Sequence, residues 1–303
     1  MSTRTDPLAR SPEPRDRVAY ATGVLLDAQD FEAEQLYHRA RLARALSYLH
    51  GWGTVAGLFV TWEREADGSE RITVQPGLAL DRVGRAIEVP RDACLRLDRW
   101  YDQMAAQDPG ALDRALDEPA GGVVADIFVR FVACERGFTP AFAQGPFDAT
   151  DAVQPARLRD GYHVALELRT SGAAALPAED WPDPHVAPSA QNPFDAAEGI
   201  DSTDDAATGA DADERARRRT QNAVFGLWGG RESAWSGEGL APLREHLPGQ
   251  DTTSVFLARL LVPATRGAAG EAPIRDPAAD VTIDNRSRRF ALPVTALARR
   301  AGL

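Results

Sequence analysis

The hydrophobic period of this 303-residue chain changes from helical to extended between Gly51 and Gly53. Upstream of it, Asp27 is a good N-cap and Asp30 lies three residues later, where the second capping-box side chain belongs. No glycine or proline interrupts residues 28 to 50, and a glycine follows where a helix commonly ends. We therefore predict a helix from Ala28 to about Leu49 or His50, roughly 22 residues and about 33 Å long.

One side of this predicted helix carries a stripe at 3.5-residue spacing that is mainly apolar but includes two polar side chains. If a monomer buried the whole stripe, the polar side chains would need partners inside the core, because an unsatisfied buried polar group costs about 1 to 3 kcal/mol. A contact between subunits supplies such partners and uses them to set register. We predict an interface formed by Phe31, Gln35, His38, Leu42 and Leu49.

The remaining patterned segments have the two-residue period of β-strands. Alternation from Val55 to Trp62 predicts one strand, and Asp67-Gly68 predicts a hairpin that joins it to a returning strand. A second hairpin is predicted around residues 78 to 89, and Val123 to Cys134 is continuous enough for a central strand. Further predictions are short strands near residues 95–97, 162–168, 253–262, 280–283 and 289–292, an irregular loop over 135–156, and helices over 98–116 (interrupted near 108–110), 211–227 and 294–300.

Charge divides the chain unevenly, since Ser171 to Glu214 contains eleven acidic residues and no arginine. Its low hydrophobicity and high net charge are typical of disorder. We predict an α+β fold with a mainly antiparallel β core, a long N-terminal helix and a disordered acidic insertion. The predicted parts are a disordered arm (1–19), a helix plus β domain (20–170), the acidic segment (171–214) and a C-terminal α/β part that completes the same core (215–303).

Composition excludes several classes of function. All 34 basic residues are arginines, so lysine-dependent chemistry such as a Schiff base or a Walker-type phosphate loop is excluded in its standard form. Outside the acidic segment the acidic residues and the arginines are equal in number, which argues against nucleic acid as a partner. No apolar stretch of about 18 to 20 residues predicts a membrane span, and the polar N-terminus has no signal-peptide core, so we expect a cytoplasmic protein.

The chemistry-bearing residues do not form a known motif, and we expect no catalytic, cofactor-binding or metal site. The glycines at 51, 53 and 57 follow a helix and precede a strand, which is the reverse of a dinucleotide-binding turn. His38 and His50 are twelve residues apart on one helix, too far to share a metal within one chain. We expect no hydrolytic or redox chemistry to depend on them. Cys94 and Cys134 are predicted to be buried free thiols.

Short motifs are spread over most of the chain outside the acidic segment. They are Gly23 to Leu26, Asp30-Phe31, Glu34 to Arg39, Leu49 to Gly53, Val55 to Leu58, Pro76 to Asp81, Gly84-Arg85, Arg157 to Tyr162, Phe256 to Arg259, Ile283 to Arg286 and Arg288-Arg289. In these motifs the chain resembles a group of bacterial proteins associated with gene clusters for phage-tail-like contractile injection particles. The resemblance implies a non-enzymatic structural or accessory component of such a particle, at the baseplate, whose partners are other particle subunits or further copies of itself.

Two alternatives come from other classes of function. One is a hydrolase that acts on cell-wall polymer, which carboxylates of perturbed pKa clustered in one cleft would favour. The other is a carbohydrate-binding module, which coplanar exposed tryptophans among Trp181, Trp228 and Trp235 would favour.

Limited proteolysis tests the assignment of the acidic segment. Ordering a chain costs about 1 to 2 kcal/mol per residue, and Ser171 to Glu214 has too little apolar surface to offset that cost. We expect the first cleavages to fall inside it, as identified by mass spectrometry of the fragments. Cleavage there as slow as in the Val123 to Cys134 strand contradicts the assignment and means that Trp181 and Phe194 are docked on a partner surface.

Overall fold

The computed structural model describes residues 3–4, 6, 8, 16–140, 153–169, 176–177, 240–268 and 270–291. Within them the fold is α+β, with an N-terminal helix and mostly antiparallel sheets, as predicted. The helices are α1 (Ala28–His50), α2 (Leu97–Gln107) and α3 (Pro109–Arg114). The strands are β1 (Thr3–Arg4), β2 (Gly53–Gly57), β3 (Val60–Arg64), β4 (Glu70–Val74), β5 (Gly77–Leu80), β6 (Ala86–Val89), β7 (Ala93–Arg96), β8 (Leu116–Asp117), β9 (Gly122–Pro140), β10 (Val153–Leu168), β11 (Val255–Thr265), β12 (Ile274–Arg275) and β13 (Thr282–Asp284).

Helix α1 begins and ends where its sequence predicts. The Asp27 carboxylate accepts the N–H groups of Gln29 and Asp30 at 2.8 and 3.1 Å, and the Asp30 carboxylate accepts the N–H of Asp27 at 3.0 Å. At the other end, Gly51 has a φ of 67° and donates its N–H to the carbonyl of Ser47. Both ends are therefore closed by local hydrogen bonds.

The segment after α1 forms two strands, so the prediction of one continuous strand was wrong. Gly57 and Leu58 have φ values of 62° and 57°, and this left-handed backbone interrupts the strand between β2 and β3, while Leu58 and Phe59 still form backbone hydrogen bonds with Pro76 and Gln75 opposite them. Strand β2 then pairs with β5 in a sheet that also contains β6, whereas β3 pairs with β4 in a sheet that also contains β7. The predicted hairpins are confirmed, since β3 and β4 flank Asp67-Gly68 and β5 pairs with β6.

Strand β9 is the centre of the large sheet, which confirms the predicted central strand. It pairs with β10 from Ala125 to Pro140 and with β11 on its other edge, both antiparallel. The Asp126 carboxylate is fully buried on β9 and is bonded to Arg259 of β11, at 2.8 Å to its Nε, and to Arg169 just after β10, at 2.6 Å to its Nε. One carboxylate thus joins three strands.

The strands β9 and β10 are longer than their hydrophobic patterns indicate. The predicted loop over residues 135–156 was wrong at both ends, because β9 continues to Pro140 and β10 begins at Val153. These end residues pair with each other although they are polar or exposed. Mutual backbone pairing therefore decides their structure where no hydrophobic alternation is present.

Several other predictions differ from the structure or concern residues outside the described ranges. Both cysteines are free, but Cys94 is exposed and Cys134 is half-buried, so their predicted burial was wrong. The predicted strand over 289–292 is a single parallel bridge between Phe290 and Thr54. The predicted helices over 211–227 and 294–300 lie outside the described residues, as does the acidic segment apart from residues 176–177.

Within the N-terminal arm, for which disorder is predicted over residues 1–19, the structure describes contacts of four residues near the start with the folded chain. Thr3 and Arg4 pair with Cys134 and Ala133 of β9. Asp6 and Leu8 are buried, and Asp6 is bonded to arginines of the folded chain. Ion pairing and one buried leucine hold this stretch, a possibility that its polar composition does not reveal.

A pair of glycine substitutions tests how closely α1 approaches the loop between β5 and β6. Gly84 has a φ of 81°, and a Cβ there would overlap the carbonyl oxygen of Ala43 in α1. Gly68 has the same φ but nothing within 4 Å of the added atom. We expect Gly68→Ala to cost about 1 to 2 kcal/mol through its backbone conformation, and Gly84→Ala about 1 to 3 kcal/mol more through overpacking.

Urea unfolding followed by circular dichroism measures both losses. Equal losses for the two variants contradict the close helix–loop contact.

Candidate subunit interface

The outward side of α1 carries the apolar stripe singled out in the sequence. Phe31, Leu42 and Leu49 are 51%, 62% and 75% exposed, and Gln35 and His38 are exposed between them. These five residues lie on one side of the helix, since an α-helix turns about 100° per residue. The structure therefore brings all five predicted interface residues together on one surface, which we call the outward face. Contact of this face with another subunit stays a prediction.

The opposite side of α1 packs against its own chain. Ala40 and Ala43 are buried there and form a small cluster with Leu8 and the partly buried Leu36. This buried side lies roughly 140° around the helix from the outward face. The helix consequently docks through alanines, whereas its larger apolar side chains face away from the chain.

A chain of alternating charges holds the docked side in place. Arg39 of α1 donates to the Asp6 carboxylate at 2.8 Å, and Arg85 lies 3.5 Å from the same oxygen. Arg85 also donates through Nε to Asp81 at 2.7 Å, and Asp81 accepts the N–H groups of Val83 and Arg85. Burial raises the pKa of Asp81 to about 6, against the opposing effect of Arg85. We call Asp6, Arg39, Asp81 and Arg85 the ionic network.

An aromatic side chain lies between the C-terminal end of α1 and the start of β2. Trp52 contacts two guanidinium groups, those of Arg82 and Arg289, whose Cζ atoms are 5.8 and 5.2 Å from its ring centroid. Cation–π contacts of this kind stabilise a tryptophan where a helix gives way to a strand. Sequence analysis placed Trp52, Asp81 and Arg85 in the motifs of the family resemblance but assigned them no role.

The polar members of the stripe have an environment that differs from the sequence argument. Gln35 is exposed, and His38 is exposed with its Nε2 3.8 Å from the Glu34 carboxylate on the same helix. They therefore need no partner inside this chain, because the docked side of α1 is the other one. Both remain available for hydrogen bonds across a contact between molecules.

Two shallow depressions elsewhere contain titratable side chains. One, of about 300 Å³, is lined by residues that include Arg130, His163, Glu167 and Asp251. Partial desolvation of its ring, with Arg130 nearby, lowers the pKa of His163, and partial burial raises the pKa of Glu167. The other, of about 280 Å³, lies on the sheet of β3, β4 and β7 and includes Cys94.

The hydrolase and carbohydrate alternatives gain no specific support from these surfaces. The two described carboxyl groups of raised pKa, Asp81 and Glu167, belong to different parts of the fold. Within the described ranges no three His, Cys, Asp or Glu side chains are placed to hold a metal ion. Trp181, Trp228 and Trp235 lie outside the described residues.

None of the helices among the described residues combines the length and the apolar character that crossing a membrane requires.

Comparisons with known proteins found one weak structural likeness. No family model matches the chain, and no curated protein is similar to it. Among solved structures the chain is similar to a protein described as "Crystal structure of TssK", at 10% sequence identity and a TM-score of 0.24. The match covers 79% of this chain and 65% of that chain. A likeness this weak carries no argument about function.

Removing one guanidinium from the ionic network tests its importance. Arg85→Met leaves the fully buried Asp81 carboxylate without its ion partner, and breaking a buried pair in this way costs about 3 to 5 kcal/mol. Arg266→Met is the matched control, because Arg266 pairs with Asp113 and Glu118 on the surface. We expect no measurable loss for the control.

Chemical denaturation of both variants beside the parent protein gives the comparison. A loss for Arg85→Met no larger than that of the control contradicts the role assigned to the network.

Proposed function

We propose that this protein is a non-enzymatic structural or accessory subunit of a phage-tail-like contractile injection particle, at its baseplate. The observation that carries the proposal is the outward face of α1. Three large apolar side chains, Phe31, Leu42 and Leu49, are exposed to solvent there, because the opposite side of the helix packs against the rest of the chain. Contiguous exposed apolar surface marks sites of interaction with other proteins.

The energetics favour a partner on this face. Fully burying a Leu or Phe side chain gains about 1.5 to 3 kcal/mol relative to leaving it exposed. Val24 and Leu25, just before α1 in the sequence, are also exposed. Gln35 and His38 supply hydrogen bonds that select a partner and a register.

The family resemblance supports the kind of assembly. Its motifs include the start of α1, the α1–β2 junction and the loop that carries Asp81 and Arg85. Of these, the loop lies against the docked side of α1, since Gly84 is next to Ala43 and Arg85 shares the Asp6 carboxylate with Arg39. The proposed partners are other subunits of the particle or further copies of this chain, which assemble in the cytoplasm.

The absence of enzymatic activity belongs to the same proposal. His38 and His50 lie on α1, and His246 is a structural residue whose ring accepts the N–H of Leu243 and bonds the carbonyl of Ser254. Turnover of peptidoglycan or another glycan by the purified protein, lost in His38→Ala or His50→Ala, contradicts the non-enzymatic proposal. It would favour the hydrolase alternative.

Charged substitutions on the outward face test the proposal directly. We expect Leu42→Glu combined with Leu49→Glu to abolish co-purification with sheath, tube or baseplate components from cells that make the particle. The reason is that the new charges cannot be buried in an apolar contact. Light scattering on the purified variant should show loss of any self-association of the parent.

The matched control places the same charges on other exposed apolar residues, by Phe59→Glu combined with Ile274→Glu. Both double variants should keep the thermal unfolding midpoint of the parent, because all four side chains are exposed. A parent protein that is monomeric at high concentration and co-purifies with no particle component contradicts the proposal.

A further inference from the structure

Strands β9 and β10 extend beyond the large sheet as a two-stranded ribbon. Strand β11 pairs with β9 as far as Val129, and β1 pairs with β9 only at Ala133 and Cys134. Further along, from Glu135 to Pro140, the one strand paired with β9 among the described residues is β10, over Val153 to Leu158. We call these paired stretches, with the adjoining Arg159 and Asp160, the ribbon.

The register of the ribbon separates its charges between two faces. Arg136 lies directly opposite Arg157, and Arg159 is two residues further along the same strand. Since side chains alternate along a strand, these three arginines share one face. The acidic residues Glu135 and Asp160 alternate with them and belong to the other face. We call Arg136, Arg157, Arg159 and Phe138, which lies opposite Pro155, the basic face.

The three arginines are not neutralised within the part of the chain that the structure describes. None of them forms an ion pair or a side-chain hydrogen bond with another described residue there, and Arg157 and Arg159 are exposed. Like charges directly opposite each other on paired strands destabilise the pairing. An anion bound across them relieves that repulsion, and guanidinium groups are well suited to carboxylates because they donate two parallel hydrogen bonds.

We propose that the basic face is a docking surface for acidic polypeptide, and that its occupant is the acidic segment Ser171 to Glu214 of the same molecule. Charge complementarity favours this occupant, since the segment contains eleven carboxylates and no arginine. Phe138, 64% exposed at the same face, offers an apolar contact beside the arginines.

The length of the chain permits docking within one molecule. Strand β10 ends at Leu168, so Arg159 lies about 30 Å back along the strand at roughly 3.3 Å per residue. Asp195 follows Leu168 by 27 residues, which span as much as about 90 Å when extended. A tethered segment is present at an effective concentration of the order of millimolar, which favours it over the same segment of a second molecule.

Paramagnetic broadening in the full-length protein tests this contact. A nitroxide is attached at position 163 after His163→Cys, with Cys94→Ser and Cys134→Ser to remove the native thiols. His163 is exposed and lies on the ribbon-side face that carries Arg157 and Arg159. We expect amide signals from Asp195 to Glu214 to fall by about half or more at roughly 20 mM salt and to recover near 1 M, where screening shortens the Debye length to about 3 Å.

Two charge-reversal variants distinguish an effect of the basic face from an effect of the net charge of the protein. Arg136→Glu, Arg157→Glu and Arg159→Glu together should abolish the broadening. Arg91→Glu, Arg99→Glu and Arg286→Glu make the same change in net charge at exposed positions off the ribbon and should preserve it. Circular dichroism confirms that both variants are folded. Broadening that persists in the ribbon variant, or that is absent from the parent protein, overturns the proposal.

Two further measurements distinguish other occupants. Mixing nitroxide-labelled chains with separate isotope-labelled chains detects docking of the acidic segment of a second molecule. If broadening occurs only in that mixture and not within molecules that carry both labels, docking within one molecule is overturned.

Fluorescence anisotropy with a single-stranded DNA oligonucleotide detects binding of nucleic acid. Binding to the parent but not to the ribbon variant, without broadening of the acidic segment, overturns the proposal in favour of a nucleic-acid surface. Neither result depends on the outward face of α1.

Discussion

Buried carboxylates paired with arginines hold together parts of this chain that are distant in sequence. Asp126 joins β9 to Arg169 beyond β10 and to Arg259 of β11. Asp81 and Asp6 join the β5–β6 loop, the N-terminal arm and α1 through Arg85 and Arg39. Because a buried charge is costly without a partner, each of these junctions is specific in geometry even where it adds little net stability.

The position of α1 follows from one of these junctions. Arg39 and the buried alanines face the β5–β6 loop, so the outward face carries every large side chain of the apolar stripe. A helix docked through small residues approaches closely and leaves its larger side chains for other contacts. The resulting surface carries three large apolar side chains with two polar ones between them, a mixture that is typical of contacts between subunits.

The sequence predicts which residues share the outward face of α1, but it does not predict whether those side chains are exposed or buried within the chain. Phe31, Gln35, His38, Leu42 and Leu49 share one side of a helix because the helical period alone places them there. Their exposure depends on which side of α1 is docked, and that was decided by Asp6, Gly84 and Arg85, which are far from the stripe in sequence. Alanines at the contact give a weak hydrophobic signal, so the pattern pointed to the larger residues.

Sequence by itself determined the local elements: the ends of α1, the hairpin at Asp67-Gly68 and the central position of β9. Each depends on capping, turn or burial preferences that act within a few residues. Tertiary structure decided the interruption of the strand at Leu58, the length of the ribbon and the pairing of Arg136 with Arg157. These depend on strand register and on contacts between distant residues, whose free energies are set by the whole fold and not by the neighbouring sequence.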